Sequence, residues 1–317
     1  MDDYGYFLFS LDTELATGHF DLDTTRKKIF SKDGVRERKI ISTLLDMMDE
    51  YEIAGTWAIV GHLFYQSCEN CPICPIKDWQ GKYSSFGEVY QTANPLWYGA
   101  DVVDKILGSK IRHEIAFHGY THEIFDEKKM TQQRALLEIR EWKRVAQRKD
   151  IIPKTVIFPR NTAGYLKAFQ NEGFICYRGE EFEPLIIRNK YFGKYVKVID
   201  HLLSLSRMPI YTLETFKTPP IFNLISSQHI FGIDRKLELF IDWLGLPFLR
   251  LRRILRGIEQ ASIKKKVVHI WAHPWEFRTE KDFRKLEVIF RAVRRERQKG
   301  TLRSISMSEL AERVKAV

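Results

Sequence analysis

A chain of 317 residues with 29% charged and 44% hydrophobic residues has a globular composition, and its 18 Gly and 11 Pro are too few for a disordered, collagen-like or low-complexity chain. No apolar run reaches the about 18 residues that a membrane span needs, and the opening MDDYGYFLFSLD meets a carboxylate too soon for a secretory signal, which points to a cytoplasmic location. The net charge of +10 resides in Arg250–Lys299, with 16 Lys/Arg against 6 Asp/Glu; this suits either an anionic partner or solvated helix faces, and with no nucleic-acid-binding signature present nucleic acid is not expected.

In chain order, YGYFLFSLD reads as a strand, Val35–Tyr51 places Ile40, Ile41, Leu44, Leu45 and Met48 at helical spacing, and AGTWAIV is a second strand. Residues 66–99 form a long polar, aromatic loop. Its run CENCPIC has the two-residue gaps of a metal or cluster site, but Cys68, Cys71 and Cys74 lack a fourth thiol nearby, Cys176 being far along the chain, and reduced thiols in a surface loop suit a cytoplasmic protein better. Ala100–Leu107 is helical, HEIAF extended, and Met130–Arg148 a strongly periodic helix. TVIFP and FICYR are strands on either side of a helix over Gly164–Glu172. Residues 180–260 show little pattern beyond a basic amphipathic stretch over 237–258, after which KVVHIWAH and LRSIS are strands flanking a helix over Lys281–Lys299. The last helix, MSELAERVK, begins with Ser306 and Glu309 spaced as a capping box. Such alternation implies parallel strands with helices outside, as an open sheet or a barrel. No linker divides the chain, so one domain over 1–317 is expected, with an insertion at 66–99 and a basic helical part from about 235.

In this architecture chemistry gathers where strands end. The first strand ends in SLDTE, and alternation puts Asp12 and Glu14 on one face, a costly pairing unless a cation or proton lies between them. HEIAF runs into HGYTH, whose His118 and His122 could chelate one divalent ion if the segment turns once as a helix, with His113 on the other side. KVVHIWAH delivers His273, a suitable acid or base, preceded by His269 as a core or supporting histidine. Arg160, after TVIFP, could fix a carboxylate by a bidentate pair and lower its pKa. Carboxylates, an imidazole pair, an arginine and a further imidazole make up the inventory of a metal-dependent hydrolase.

SLDTE, GTWAIVGHLF, HEIAFHGYTH, FPRN with GYLKAFQNEGF, and HIWAHP, in this order over residues 6 to 277, resemble the polysaccharide deacetylase family of NodB-homology amidohydrolases. The resemblance implies a distorted (β/α) barrel of about seven parallel strands, a divalent metal, most often zinc, and removal of an acyl group from an N-acylated sugar or polysaccharide precursor. Carried over by position, it makes Asp12 the base, His118 and His122 metal ligands, Arg160 the residue that orients and tunes Asp12, His273 the general acid and Trp271 a wall of the acyl pocket. Many members have two adjacent aspartates in the first motif, whereas Thr13, a poor ligand, follows Asp12 here; relatives with an acid-x-acid version make Glu14 the third metal ligand. Hydrolysis of a non-sugar C–N bond, in a cyclic imide or ureide, is the alternative activity, and a catalytically silent saccharide-binding barrel the alternative class. The stretch 237–258, with Arg250, Arg252, Arg253 and Arg256 among large apolar residues, suits either peripheral contact with an acidic membrane or a core-packing helix with a basic outer face.

Overall fold

All nine residues of the first strand, β1 (Gly5–Thr13), are buried, as a strand covered on both faces must be. Phe7, Phe9 and Leu11 pack outward into the larger core, while Tyr6 and Leu8, on the alternate face, join a second cluster inside the sheet. The computed structural model describes residues 3–19, 30–31, 33–67, 73, 95–181, 207–231 and 248–316. Most of the expected insertion at 66–99, including Cys68, Cys71 and Cys74, lies outside the described residues, as do residues 235–247.

β1 pairs with β8 (Val267–Ala272) on one edge; on the other it pairs first with β9 (Leu302–Ser304) and then with β2 (Thr56–Ile59). From β2 the sheet continues through β3 (Glu114–Phe117), β4 (Thr155–Val156), β5 (Cys176–Tyr177) and β6 (Phe222–Asn223), and beyond β8 lies β7 (Gln228–His229), all in parallel pairing. The two ends of this path follow each other in sequence, and the backbone between them closes the ring. Ser226 N donates to Gly179 O (3.2 Å) beyond β5, and Ser227 N donates to His269 O (2.7 Å) in β8. The result is a distorted (β/α) barrel. Seven of its strands are those expected from the sequence; β6 and β7, two residues each, are too short to carry an alternating pattern.

Helices α1 (Val35–Tyr51), α2 (Ala100–Leu107), α3 (Gln132–Gln147), α4 (Leu166–Asn171), α5 (Phe248–Lys264), α6 (Glu280–Gln298) and α7 (Met307–Ala316) accompany the strands. α7 stoppers the N-terminal end of the barrel: its Met307, Leu310, Ala311 and Val314 are buried against Tyr6, Leu8 and Ala58. The capping box is present, with Glu309 N donating to Ser306 Oγ (3.3 Å) and Ser306 N to Glu309 Oε2 (2.7 Å). In the described part of the stretch 237–258, Ile254 and Ile258 are buried and Leu251 and Leu255 pack on the core, while Arg252 and Arg256 face outward. Over these residues the apolar side packs on the protein core. No helix among the described residues is long and apolar enough to cross a membrane.

Candidate active site

The same alternation that buries Tyr6 and Leu8 brings Ser10, Asp12 and Glu14 to the interior face at the open end of the barrel, and puts Thr13 on the opposite face. Arg178, immediately after β5, answers this row of oxygens. It grips Asp12 with two parallel bonds, Nη1 to Oδ1 and Nη2 to Oδ2, both 2.6 Å. Arg178 also donates to Ser10 Oγ (3.2 Å) and Asn161 Oδ1 (2.9 Å), and its guanidinium lies 4.0 Å from the centroid of the Trp271 ring. Burial pushes the Asp12 carboxyl up, but the Arg178 charge, helped by His118 and His273, outweighs it and holds the pKa below its ordinary value. Ser10 Oγ, accepting from Arg178, also shares a hydrogen bond with His269 Nε2 (2.9 Å). Burial, with the Arg178 charge beside it, pushes His269 down to about 3, so this imidazole stays neutral and supports the network. The bidentate pair expected from Arg160 is thus made by Arg178, because β5 aims residues 176 and 178 inward while Arg160 stands on the turn after β4 at the cavity mouth.

Glu14 meets two histidines. His118 Nε2 is 3.4 Å and His122 Nε2 2.8 Å from Glu14 Oε2, all three side chains being buried. His118 and His122 are brought together without the helical turn expected of HGYTH: Gly119 (φ 75) and His122 (φ 63) take left-handed conformations in a short irregular loop. That loop is held from outside by the buried Glu138 of α3, whose carboxylate accepts from Tyr120 N (2.8 Å), Thr121 N (2.9 Å) and Thr121 Oγ1 (2.6 Å). On the other side the Glu14 carboxylate lies against Gly18, where an added Cβ would come within 2.0 Å of it, so only glycine leaves room.

These residues fit a divalent cation. His118 Nδ1 lies 2.8 Å from Ile157 O, an acceptor only, so Nδ1 carries the proton and Nε2 turns a lone pair toward Glu14. Neither ring nitrogen of buried His122 makes a hydrogen bond among the described residues, and its Nε2, though close to Glu14, is out of line for one. Two imidazole nitrogens and a carboxylate oxygen lie within 4.8 Å of one another, a donor set of the kind that suits a zinc-type site with open positions. Burial pushes His122 below its ordinary pKa against the pull of Glu14, which keeps the ring available as a neutral ligand.

His273, at the end of β8, faces this cluster from across the mouth. Its Nε2 lies 4.0 Å from both Asp12 Oδ2 and Glu14 Oε1, and its Nδ1 lies 3.1 Å from Glu276 Oε2. The same Glu276 oxygen is 2.9 Å from His229 Nε2 and accepts from His273 N (2.8 Å). Burial alone would lower the His273 pKa, but Glu276 first, then Glu14 and Asp12, raise it to about 9. Around Asp12, Glu14, His118 and His122 lies a cavity of about 350 Å³, also lined by Arg160, Asn161, Trp271 and Trp275. An acid with this pKa is protonated below about 9, so a rate that depends on it falls above that pH. A cation neutralising Glu14 removes one of the carboxylates raising it, which places the limb of the loaded protein at or below 9. Glu276→Gln removes the strongest upward influence, and kcat/KM measured against pH should show the alkaline limb displaced to lower pH; an unmoved limb would separate Glu276 from the titrating group.

No protein-family model and no curated protein matches this sequence. Solved structures do match. A Mycobacterium smegmatis protein assigned as a polysaccharide deacetylase superposes with a TM-score of 0.62 over 99% of this chain and 92% of its own, at 14% identity. A Pseudomonas aeruginosa PAO1 protein with the same assignment gives a TM-score of 0.57 over 97% of this chain and 89% of its own, at 10% identity. The chain has the polysaccharide deacetylase fold. The fold alone does not fix chemistry: 4-α-glucanotransferase from Thermococcus litoralis also matches, with a TM-score of 0.50 over 98% of this chain and 40% of its own, at 13% identity. Function therefore has to be argued from the side chains at the deacetylase-like mouth. Four of them, Arg178, Glu276, His229 and Trp275, were not singled out by the sequence. Arg178 was within reach, since FICYR reads as a strand and period two puts Arg178 on the face of Cys176; His229 lies in a stretch with no pattern.

Proposed function

We propose that the protein is a metal-dependent deacylase of N-acylated, in the first place N-acetylated, saccharides. The observation that carries this reading is the convergence at one mouth of the Glu14–His118–His122 donor set with a carboxylate and an imidazole that approach each other to 4.0 Å. A divalent cation of the zinc type, held by those three residues, would supply the charge that acidifies water and polarises the acyl carbonyl. Asp12 accepts the proton of the attacking water. Its pKa, held low by Arg178, keeps it ionised and ready at neutral pH. His273, kept protonated by Glu276, donates to the departing nitrogen, which a sugar amine requires because it leaves poorly until protonated. Trp271 and Trp275 give the cavity an apolar wall suited to an acyl methyl and a sugar face. A catalytically silent binder has no use for an acid and a base held this close beside a metal donor set.

Acetate release from N-acetylglucosamine oligomers by the zinc-loaded protein tests the proposal. Activity should vanish on chelation and return with added zinc. Fully loaded protein that releases no acetate from any N-acetylated saccharide, yet opens a cyclic imide, would move the assignment to the small-amide hydrolases.

A further inference from the structure

His273 has two ring nitrogens, and the reaction proposed above uses one of them. Nε2 faces Asp12 and Glu14, each 4.0 Å away, while Nδ1 turns to the other side and lies 3.1 Å from Glu276 Oε2. There it meets a second imidazole. His229 Nε2 approaches the same Glu276 oxygen to 2.9 Å, and the two nitrogens and the oxygen lie within 4.8 Å of one another. The backbone brings them together: parallel pairing sets His229 of β7 beside Trp271 of β8, His273 follows two residues on, and the turn Pro274–Glu276 folds back so that His273 N donates to Glu276 Oε2 (2.8 Å). The His229 ring lies against that of Trp271, with centroids 4.1 Å apart, and meets the His273 ring edge-on at 5.7 Å. All three side chains of the cluster are partly exposed, so it borders solvent.

Two imidazole nitrogens and a carboxylate oxygen, fixed by backbone and ring contacts, have the same composition as Glu14, His118 and His122 and suit a divalent cation of the zinc type. The two sets differ in what an arriving ion must displace. At the second cluster both imidazole nitrogens make hydrogen bonds to Glu276 that an ion would have to replace, so the second is the weaker. We propose that His229, His273 and Glu276 form a second site, for an inhibitory divalent cation, on the far side of the proposed acid. A coordinating imidazole is a neutral ring. An ion on Nδ1 therefore takes from His273 the charge with which it would protonate a departing nitrogen, and it engages the Glu276 carboxylate as well. The same metal becomes an activator at one equivalent and an inhibitor in excess. The binding half of this proposal stands on the cluster alone, and the inhibitory half rests on the deacylase reading above.

Zinc uptake by the full chain is measured by equilibrium dialysis, alongside acetate release from N-acetylglucosamine oligomers, over a rising zinc concentration. The wild-type protein should take up one tight and one weaker ion. Its rate should rise with the first and fall by about 10²–10⁴ as the second saturates, the usual contribution of a positioned acid. His229→Gln, and independently Glu276→Gln, should keep the tight ion, which also reports a folded chain, and lose the weaker one; in His229→Gln the rate, taken relative to its own maximum, should no longer fall in excess zinc. His118→Ala should show the reverse and keep only the weaker ion. A single ion in the wild-type protein, or a second ion that persists in both His229→Gln and Glu276→Gln, as one held by thiols would, overturns the site. A second ion that is lost in these variants but leaves the wild-type rate unchanged overturns the inhibition. If no acetate is released at any zinc concentration, the deacylase reading fails, while the ion counts still decide the site.

Discussion

Replacing His118 by Ala should remove metal and activity together. The donor set offers three protein atoms, His118 Nε2, His122 Nε2 and a Glu14 oxygen, and two of them hold a divalent cation poorly. Asp12→Asn should behave differently: the metal donors stay in place, zinc content remains near one per chain, and the rate falls by about 10²–10⁴, the usual contribution of a positioned base. Glu14→Gln distinguishes a ligand from a bystander. A ligand loses zinc as His118→Ala does, whereas a bystander leaves both zinc and rate near the wild-type level. Metal analysis alongside acetate release gives each residue its own pattern, and full zinc with full activity in His118→Ala would sink the site.

The second large effect belongs to Arg178. Arg178 and Asp12 are 1% and 3% exposed, and taking one partner from a buried ion pair costs about 3–5 kcal/mol because the other charge is stranded. Arg178→Met should therefore lower the urea midpoint strongly at neutral pH and abolish activity. The pH dependence gives the mechanism. In the wild-type protein the Asp12 pKa is lowered, so its stabilising contribution is present above the ordinary value of 3.8 and is lost as pH falls through the folded value. Without Arg178, burial dominates, the pKa moves above 3.8, and ionised Asp12 becomes a cost at neutral pH that protonation relieves. The deficit of Arg178→Met against wild type should shrink as the solution is made mildly acidic. A deficit independent of pH would mean that lost packing on Trp271, not the ion pair, is responsible. Asp12→Asn/Arg178→Met should be less destabilised than the two single changes added together.

Much of this arrangement was legible before any coordinates. Long, regular patterns are legible: β1 as a continuous apolar strand and α1 from its periodic Ile, Leu and Met residues. Short elements are not. β6 and β7 span two residues each, and their pairing depends on neighbours far away in sequence, so nothing local announces them. The conformation of HGYTH is not legible from spacing: a helical turn can bring His118 and His122 together, but a left-handed Gly119 does so as well, and Glu138, the residue that holds that turn, sits on a different element. Arg160 and Arg178 both follow strands. Which one reaches Asp12 depends on the inward or outward phase at the strand end, and β4, only Thr155–Val156, gives no lever on that phase.

Glu138 has a wider consequence. The turn carrying His118 and His122, the proposed ligands, is fastened to α3 by three hydrogen bonds that involve none of the ring nitrogens. The placement of the two imidazoles is in that sense inherited from the scaffold, and a cation bound as proposed would have little chain left to order. Much of the entropic cost of assembling the ligands would then fall on folding, so that gain and loss of the ion would be exchange reactions of a finished protein and not episodes of unfolding.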